Sequence, residues 1–210
     1  MKVTVRKEIE TSWKSIAAHE NSTPAILKTE LQSGDIVHIE LKNGRELALD
    51  FGRDETGKGF FIFRDCLGER AMNRIDTNTG GWEKSDMRRY ANEEFIYLLP
   101  DDLQEVIKPT KIVQIIDGER RETMDKLFCM SMTQMFGKGY WSDEEPEDTQ
   151  IDIFKTERDR VKNLNGKTWW YWLRSADSGS ATNFRNVNIG GAADYTGASG
   201  SYGVCFGFCV

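Results

Sequence analysis

The chain has 210 residues, 39% of them hydrophobic and 30% charged, enough apolar content for the core of one domain or of one domain with a small appendage. A formal net charge of −6 and a pI near 5.1 give no basic face for phosphate, so no nucleic-acid partner is expected. No apolar run approaches the roughly eighteen residues of a membrane span, and Met1 to Lys7 holds no signal-peptide stretch. Direct membrane insertion is therefore not expected, and the chain is expected to be made in the cytoplasm, with export by another route.

Residues 1–30 are charged and weakly patterned, with Thr11, Ser12 and Ser15 ahead of Ile16 and a break at Pro24. They read as an accessory segment or short helix before a domain over 31–210. From Gly34 the pattern becomes one of strands. Asp35 to Leu41 alternates, Asn43-Gly44 predicts a type I′ hairpin turn, Glu46 to Phe51 returns, and Gly59 to Phe63 adds a third strand. Ser85 is placed to cap a helix in which Met87, Tyr90, Ala91, Phe95, Leu98 and Leu99 recur at helical spacing. Pro100-Asp101-Asp102 ends it and opens a second, Leu103 to Ile107, stopped before Pro109; Lys111 to Ile116 and Lys126 to Met130 read as strands.

The C-terminal forty-odd residues organise the rest. Trp169, Trp170, Tyr171, Trp172 and Leu173 form an apolar run suited to a strand buried on both faces. Gly203 to Val210 predicts a second strand, with Val204, Phe206, Phe208 and Val210 on one face and Cys205, Gly207 and Cys209 on the other. Between them lies a small, polar stretch, too poor in aliphatic residues for a core, which reads as a long presented loop. A plain flexible Gly/Ser loop is the simpler reading. Its composition argues against that. Lys, Glu, Gln, Met and Trp make up 50 of the 210 residues, so about nine are expected among the 36 from Ser175 onward, and there are none. These five share codons that end in A or G, and Lys, Glu and Gln would suit an exposed loop.

With those residues in view, the segment resembles the C-terminal variable region of target proteins of diversity-generating retroelements, where template adenines, mostly in Asn codons ending in C or T, are copied to random bases. The resemblance implies an exchanged position at Ile189, Gly190, Ala192, Asp194, Tyr195, Thr196, Gly197, Gly200 and Tyr202, as at Asp177 and Ser180. With Asn186 and Asn188, these are the ligand-binding residues it implies, within a variable region over 175–204. Gly191, Ala193, Ala198, Ser199, Ser201 and Gly203 read as unvaried spacers. The framing strands WWYWLRS and GVCFGFCV look like those of the same proteins, whose fold is C-type lectin-like. The middle section, GGWEKSDMRRYANEEFIYLLPDDLQEVIKP with DKLFCMS and NLNGKTWWYWLRS, also resembles a widespread bacterial and phage domain of unassigned function. Together they imply an α+β, C-type lectin-like fold: a mixed or antiparallel sheet, two helices and a long loop-rich C-terminal insertion. The implied function is recognition of a protein or glycan on a cell surface, by a protein displayed on a phage tail or bacterial surface. Tyr195 and Tyr202 are the expected hot spots, with Ile189 beside them and Asp177 and Asp194 setting charge preference.

Residues for other chemistry are sparse. His19 and His38 lack the company of a catalytic base, and the four cysteines, Cys66, Cys129, Cys205 and Cys209, read as reduced, buried thiols. Cys205 and Cys209 could be compared with the cysteine pair of the lectin-like formylglycine-generating enzymes, but no cation or helix N-terminus near them activates a thiol. No catalytic residue and no cofactor are expected. The acidic run Ser142 to Asp148 offers carboxylates to Ca²⁺ but lacks the spacing and Gly of a calcium loop, so it reads as a solvated charged loop. Trp82, Trp141, Trp169, Trp170 and Trp172 read as core before they read as a sugar platform. The reading from another class is a structural module of a phage tail or bacterial surface protein, its Gly-rich end packed on a neighbour without diversified binding.

Overall fold

The computed structural model describes residues 13–20, 31–140 and 145–210. Thr11, Ser12, Pro24 and Trp141 lie outside the described residues, as does the side chain of His19. Helix α1 (Trp13–Glu20) buries Trp13, Ile16 and Ala17 in the main core. The Trp13 ring meets Phe61 edge-on at 5.2 Å and Phe208 at 6.1 Å.

Strands β1 (Ile36–Glu40) and β2 (Glu46–Arg53) form the expected hairpin, pairing from Ile36 with Asp50 to Glu40 with Glu46. Its turn is not the expected type I′. Gly44 has φ of 81° but Asn43 stays in the ordinary region, and Leu41 both accepts from Gly44 N (2.8 Å) and donates to Arg45 O (2.9 Å), a three-residue loop with a glycine bulge. The Asn43 side chain accepts from Arg45 N at 3.1 Å, a local bond that makes a second left-handed residue unnecessary. Strand β3 (Gly59–Phe63) pairs antiparallel with β2, and the short β4 (Glu69–Arg70) follows.

The expected first helix is a succession of pitches. After α2 (Gly81–Lys84), Ser85 Oγ accepts from Arg88 N at 3.1 Å and caps α3 (Asp86–Arg89), which widens to a π turn over Tyr90–Glu94 and tightens to a 3₁₀ turn over Phe95–Leu98. The wide turn aims Asn92 inward, where it accepts from Lys126 N and Leu127 N and donates to Leu127 O. Helix α4 (Asp101–Val106) then leads to β5 (Thr110–Ile116) and β6 (Glu119–Asp125). The sequence reading missed β6, whose Glu119-Arg-Arg-Glu-Thr-Met-Asp run has too little apolar character to announce a strand; Asp117 (φ 54°) and Gly118 (φ 77°) make the type I′ turn before it. Lys126 to Met130 shrinks to β7 (Phe128–Cys129).

The remaining elements are α5 (Met132–Phe136), closed by a Ser131/Gln134 capping box, α6 (Glu157–Arg160), and the hairpin β8 (Lys162–Leu164) and β9 (Lys167–Trp169). Then come β10 (Tyr171–Ala176), β11 (Asn183–Val187), β12 (Ala193–Gly197), β13 (Tyr202–Gly203) and β14 (Phe206–Phe208). Among the described residues there are two five-stranded sheets, β1-β2-β3-β14-β7 and β12-β11-β10-β13-β4, beside the hairpins β5-β6 and β8-β9, and of their pairings only β10–β13 is parallel. The fold is thus α+β with mostly antiparallel sheets. Its helices among the described residues are six short ones rather than two, and none is long and apolar enough to cross a membrane.

Three expectations about the C-terminal stretch change. The apolar run at Trp169 to Leu173 is divided, because Trp169 closes β9 and only from Tyr171 does a fully buried strand begin. Gly203 to Val210 is not one strand with two faces. Gly203 belongs to the second sheet and Phe206 to Phe208 to the first, so Val204 and Cys205 carry the chain between sheets and all eight residues are buried. The long loop is chiefly a β-meander: β11 and β12 extend the second sheet, their few core side chains being Phe184, Val187, Ala193 and, just beyond, Ala198.

Candidate ligand-binding surface

Strand β12 is the outermost strand of the second sheet, and its register on β11 decides where the expected residues point. Asp194 lies opposite Asn186, Tyr195 opposite Arg185 and Thr196 opposite Phe184. Neighbouring residues of a strand face opposite sides. Asp194 and Thr196 therefore share one face with Tyr202, whose ring meets Trp172 edge-on at 5.2 Å and whose hydroxyl lies 3.4 Å from Thr196 Oγ1. Tyr195, 52% exposed, is on the other face with the Arg185 guanidinium 5.7 Å from its ring. The two tyrosines expected to act as neighbours thus stand on opposite sides of one strand.

Burial sorts the remaining positions. Ile189, Gly190, Ala192, Asp194, Tyr195, Thr196, Gly197, Gly200 and Tyr202 are all exposed or half-buried. The intervening Gly191, Ala193, Ala198 and Gly203 are buried, and Ser199 is tied down by Asp76. A side chain at Gly191 has no room, since a Cβ there would collide with the Glu157 carbonyl, and Arg160 Nε donates to the Gly191 carbonyl at 3.0 Å. Asn188 shapes the turn before β12, its Oδ1 accepting from Gly190 N (2.9 Å) and Ala192 N (3.1 Å). Ser180 is half-buried, its hydroxyl 3.0 Å from that of Thr182.

Two expected contact residues are corrected. Asn186 is fully buried between its neighbours Trp172 and Asp194, both atoms of its amide without a hydrogen-bond partner among the described residues, so it lies under the surface. Asp177 is buried too, its carboxylate 2.9 Å from Arg185 Nη2, because a charge beneath the surface needs a counter-charge. Gly197 is half-buried, but a Cβ on it would come within 2.7 Å of Asp76 Oδ1, so a larger side chain displaces a carboxylate already in use. Asp177 and Ser180 border a groove of about 550 Å³ that Ile115 to Gly118 also line.

Sequence reasoning passed over the loop that holds this surface from below. Residues 73–79, Asn-Arg-Ile-Asp-Thr-Asn-Thr, are rich in the short polar types that bond main chain, the one signal that could have found them. Asn78, Asp76 and Asn73 reach Asp177 to Asn183 and Ala198 to Ser199. The backbone N–H and the hydroxyl of Ser199 hold the Asp76 carboxyl below the usual carboxylate range. Ile75, 69% exposed, projects from the same loop.

Other candidates resolve differently. Residues 142–144 of the acidic run are outside the described residues; of the rest, Pro146 and Glu147 are exposed as a solvated loop would be, while Glu145 and Asp148 are drawn inward. Glu145 is buried, with Gln114 Nε2 donating to its Oε1 at 3.0 Å; Asp148 accepts from Arg174 and from Ser131 Oγ; Glu147 meets Lys111 and Arg120. Each carboxylate faces a protein donor that the linear sequence could not assign. His38 is exposed on β1. All four cysteines are buried, and burial pushes the Cys66 thiol up to about 12 and raises those of Cys129, Cys205 and Cys209. Trp82 and Trp172 are fully buried, while Trp169 and Trp170 are half-buried.

What these features define is an α+β domain whose second sheet ends in a polar, partly exposed strand braced from a neighbouring loop. The chain belongs to the family described as domain of unknown function (DUF6273), which matches residues 56–210. Comparison with curated proteins and with solved structures finds no match.

Proposed function

We propose that the protein is a recognition protein whose C-terminal surface is diversified by retroelement-directed adenine mutagenesis, on a C-type lectin-like fold. One observation carries this reading. The nine positions from Ile189 to Tyr202 that the resemblance marks as exchanged are exposed or half-buried, whereas four of the six it marks as spacers are buried and a fifth is held by Asp76. The assignment of these positions uses no structural information, and exposure follows it along a stretch where a turn, a strand and a loop follow one another.

The ligand face consists of Asp194, Thr196 and Tyr202, with Tyr195, Ile189 and Gly190 reaching a partner that wraps the edge strand. Tyrosine supplies contact area at low entropic cost, and the carboxylate sets charge preference. The partner in this reading is a protein or glycan on a cell surface, met by a chain carried on a phage tail or bacterial envelope.

Sequencing the gene and its surroundings tests the proposal. It expects a reverse transcriptase and a near-copy of the 3′ end differing from the gene at adenines; a neighbourhood with neither sinks it in favour of a structural packing module. A glycan and cell-surface-protein array supplies the second arm, with Thr196→Ala/Tyr202→Ala expected to lose at least tenfold of any binding the wild type shows.

A further inference from the structure

The loop over 73–78 grips the displayed region almost wholly by its main chain. Asn78 Nδ2 donates to the carbonyls of Asp177 (3.0 Å), Ser180 (2.6 Å) and Asn183 (2.9 Å), and Asn78 N donates to Ala181 O at 2.9 Å. An amide carries two N–H hydrogens, so one is shared between two carbonyls. At the far end Asn73 N donates to Ala198 O at 3.0 Å, and Asp76 Oδ1 accepts from Ser199 N (2.8 Å) and Ser199 Oγ (2.7 Å). The Ser199 hydroxyl is the one side-chain group among these contacts.

The gripping loop is itself fixed. Asn73 donates through Nδ2 to Thr77 O (2.6 Å) and accepts through Oδ1 from Asp86 N (2.9 Å), while Arg74 N donates to Asp86 Oδ2 (2.9 Å). Asp86 belongs to α3, so the loop is anchored to a helix on the core. Asn73 and Asn78 are buried, and their amides are spent on main-chain atoms whose positions do not depend on residue type.

We propose that Asn73, Asp76 and Asn78 are positioning residues, a brace blind to side chains that keeps the main chain of 177–199 in place whichever side chains it carries. The inference rests on the reading of that surface as exchangeable. It also separates what is exchangeable from what is not. Asp177 through Arg185, Asn188 through the turn amides and Gly191 through its lack of a Cβ are held by identity, so they fall outside the exchangeable set.

The test reads folding, so it needs no ligand. In the full chain, Ile189, Gly190, Ala192, Asp194, Tyr195 and Thr196 are randomised together, displayed on yeast and scored for the protease-resistant fraction. Three backgrounds are compared: wild type, Asn78→Ala, and a substitution of Leu49 in β2 chosen to match Asn78→Ala in urea midpoint. The brace predicts a resistant fraction at least tenfold lower in Asn78→Ala than in the matched Leu49 background. Equal losses would mean that Asn78 contributes only general stability and would overturn the proposal. Should Asn78→Ala not fold, Asp76→Ala at its exposed position takes its place with the same criterion. A negative result here removes the brace and leaves the recognition reading standing, whereas a gene without a template copy removes the recognition reading and leaves the folding comparison intact.

Discussion

Glu145 enters the core with Gln114 Nε2 donating to its Oε1 and the Ser175 hydroxyl beside its carboxylate. Burial outweighs the nearby Arg174 charge and, with Asp148 also raising it, moves the carboxyl from 4.5 to about 7. A group that binds its proton more tightly folded than unfolded contributes stability that is complete below the unfolded value and is lost as pH rises through the folded one. At ~1.4 kcal/mol per tenfold change in proton affinity, the loss between pH 4.5 and pH 8 is about 3 kcal/mol. Depressed carboxyls such as Glu147 and Asp159 act in the opposite sense, so the wild type alone is not diagnostic. Glu145→Gln keeps an acceptor for Gln114 and stays neutral at every pH. Urea unfolding of both proteins from pH 4.5 to 8 should give a difference that moves by about 3 kcal/mol against the wild type, with its steepest change between the unfolded and folded values and a plateau above about 7. Parallel profiles would refute a buried, proton-holding Glu145.

Gly191→Ala should cost at least ~2 kcal/mol in thermal unfolding, since φ is +87° and a Cβ collides with Glu157 O, while Gly190→Ala next to it should stay within about 1 kcal/mol. Asp177→Ala removes the carboxylate facing the buried Arg185 guanidinium and should lower unfolding free energy by about 3–5 kcal/mol; a loss below 1 kcal/mol would show that the pair is not desolvated. The Asp76 carboxyl is depressed by its Ser199 bonds, so its grip is present above the ordinary carboxylate range and is released as pH falls below it. Amide exchange at Ser199, corrected for intrinsic rates, should therefore accelerate on acidification in the wild type and be pH-independent in Asp76→Asn.

Much of the frame was legible because its determinants are local. Alternation and the Asn43-Gly44 turn gave β1 and β2, and a short apolar run gave β3; Ser85 gave a helix start; Pro100 and Pro109 gave stops. The miss at β6 has a plain cause, since an edge strand with a solvated face shows charge where period two looks for apolar residues. The terminal strand was misread for the opposite reason. Val204 to Val210 is apolar throughout because it crosses between two sheets, and alternation cannot separate two buried faces from two partners. At the surface, the positions that the resemblance marks over Ile189 to Tyr202 are exposed or half-buried, whereas Asp177 and Asn186 are buried. Those two are polar by type and buried by position.

The sequence by itself determined that 189–203 is built mostly of small and polar residues and that aromatic segments frame it, because composition and strand periodicity are written in consecutive positions. Only the tertiary structure decided that Tyr195 and Tyr202 face opposite sides, that Asp177 is held by Arg185, and that Asn78, about a hundred positions earlier, carries the loop from below. Those outcomes rest on pairing register and on hydrogen bonds between distant segments, which exist once the sheet has closed.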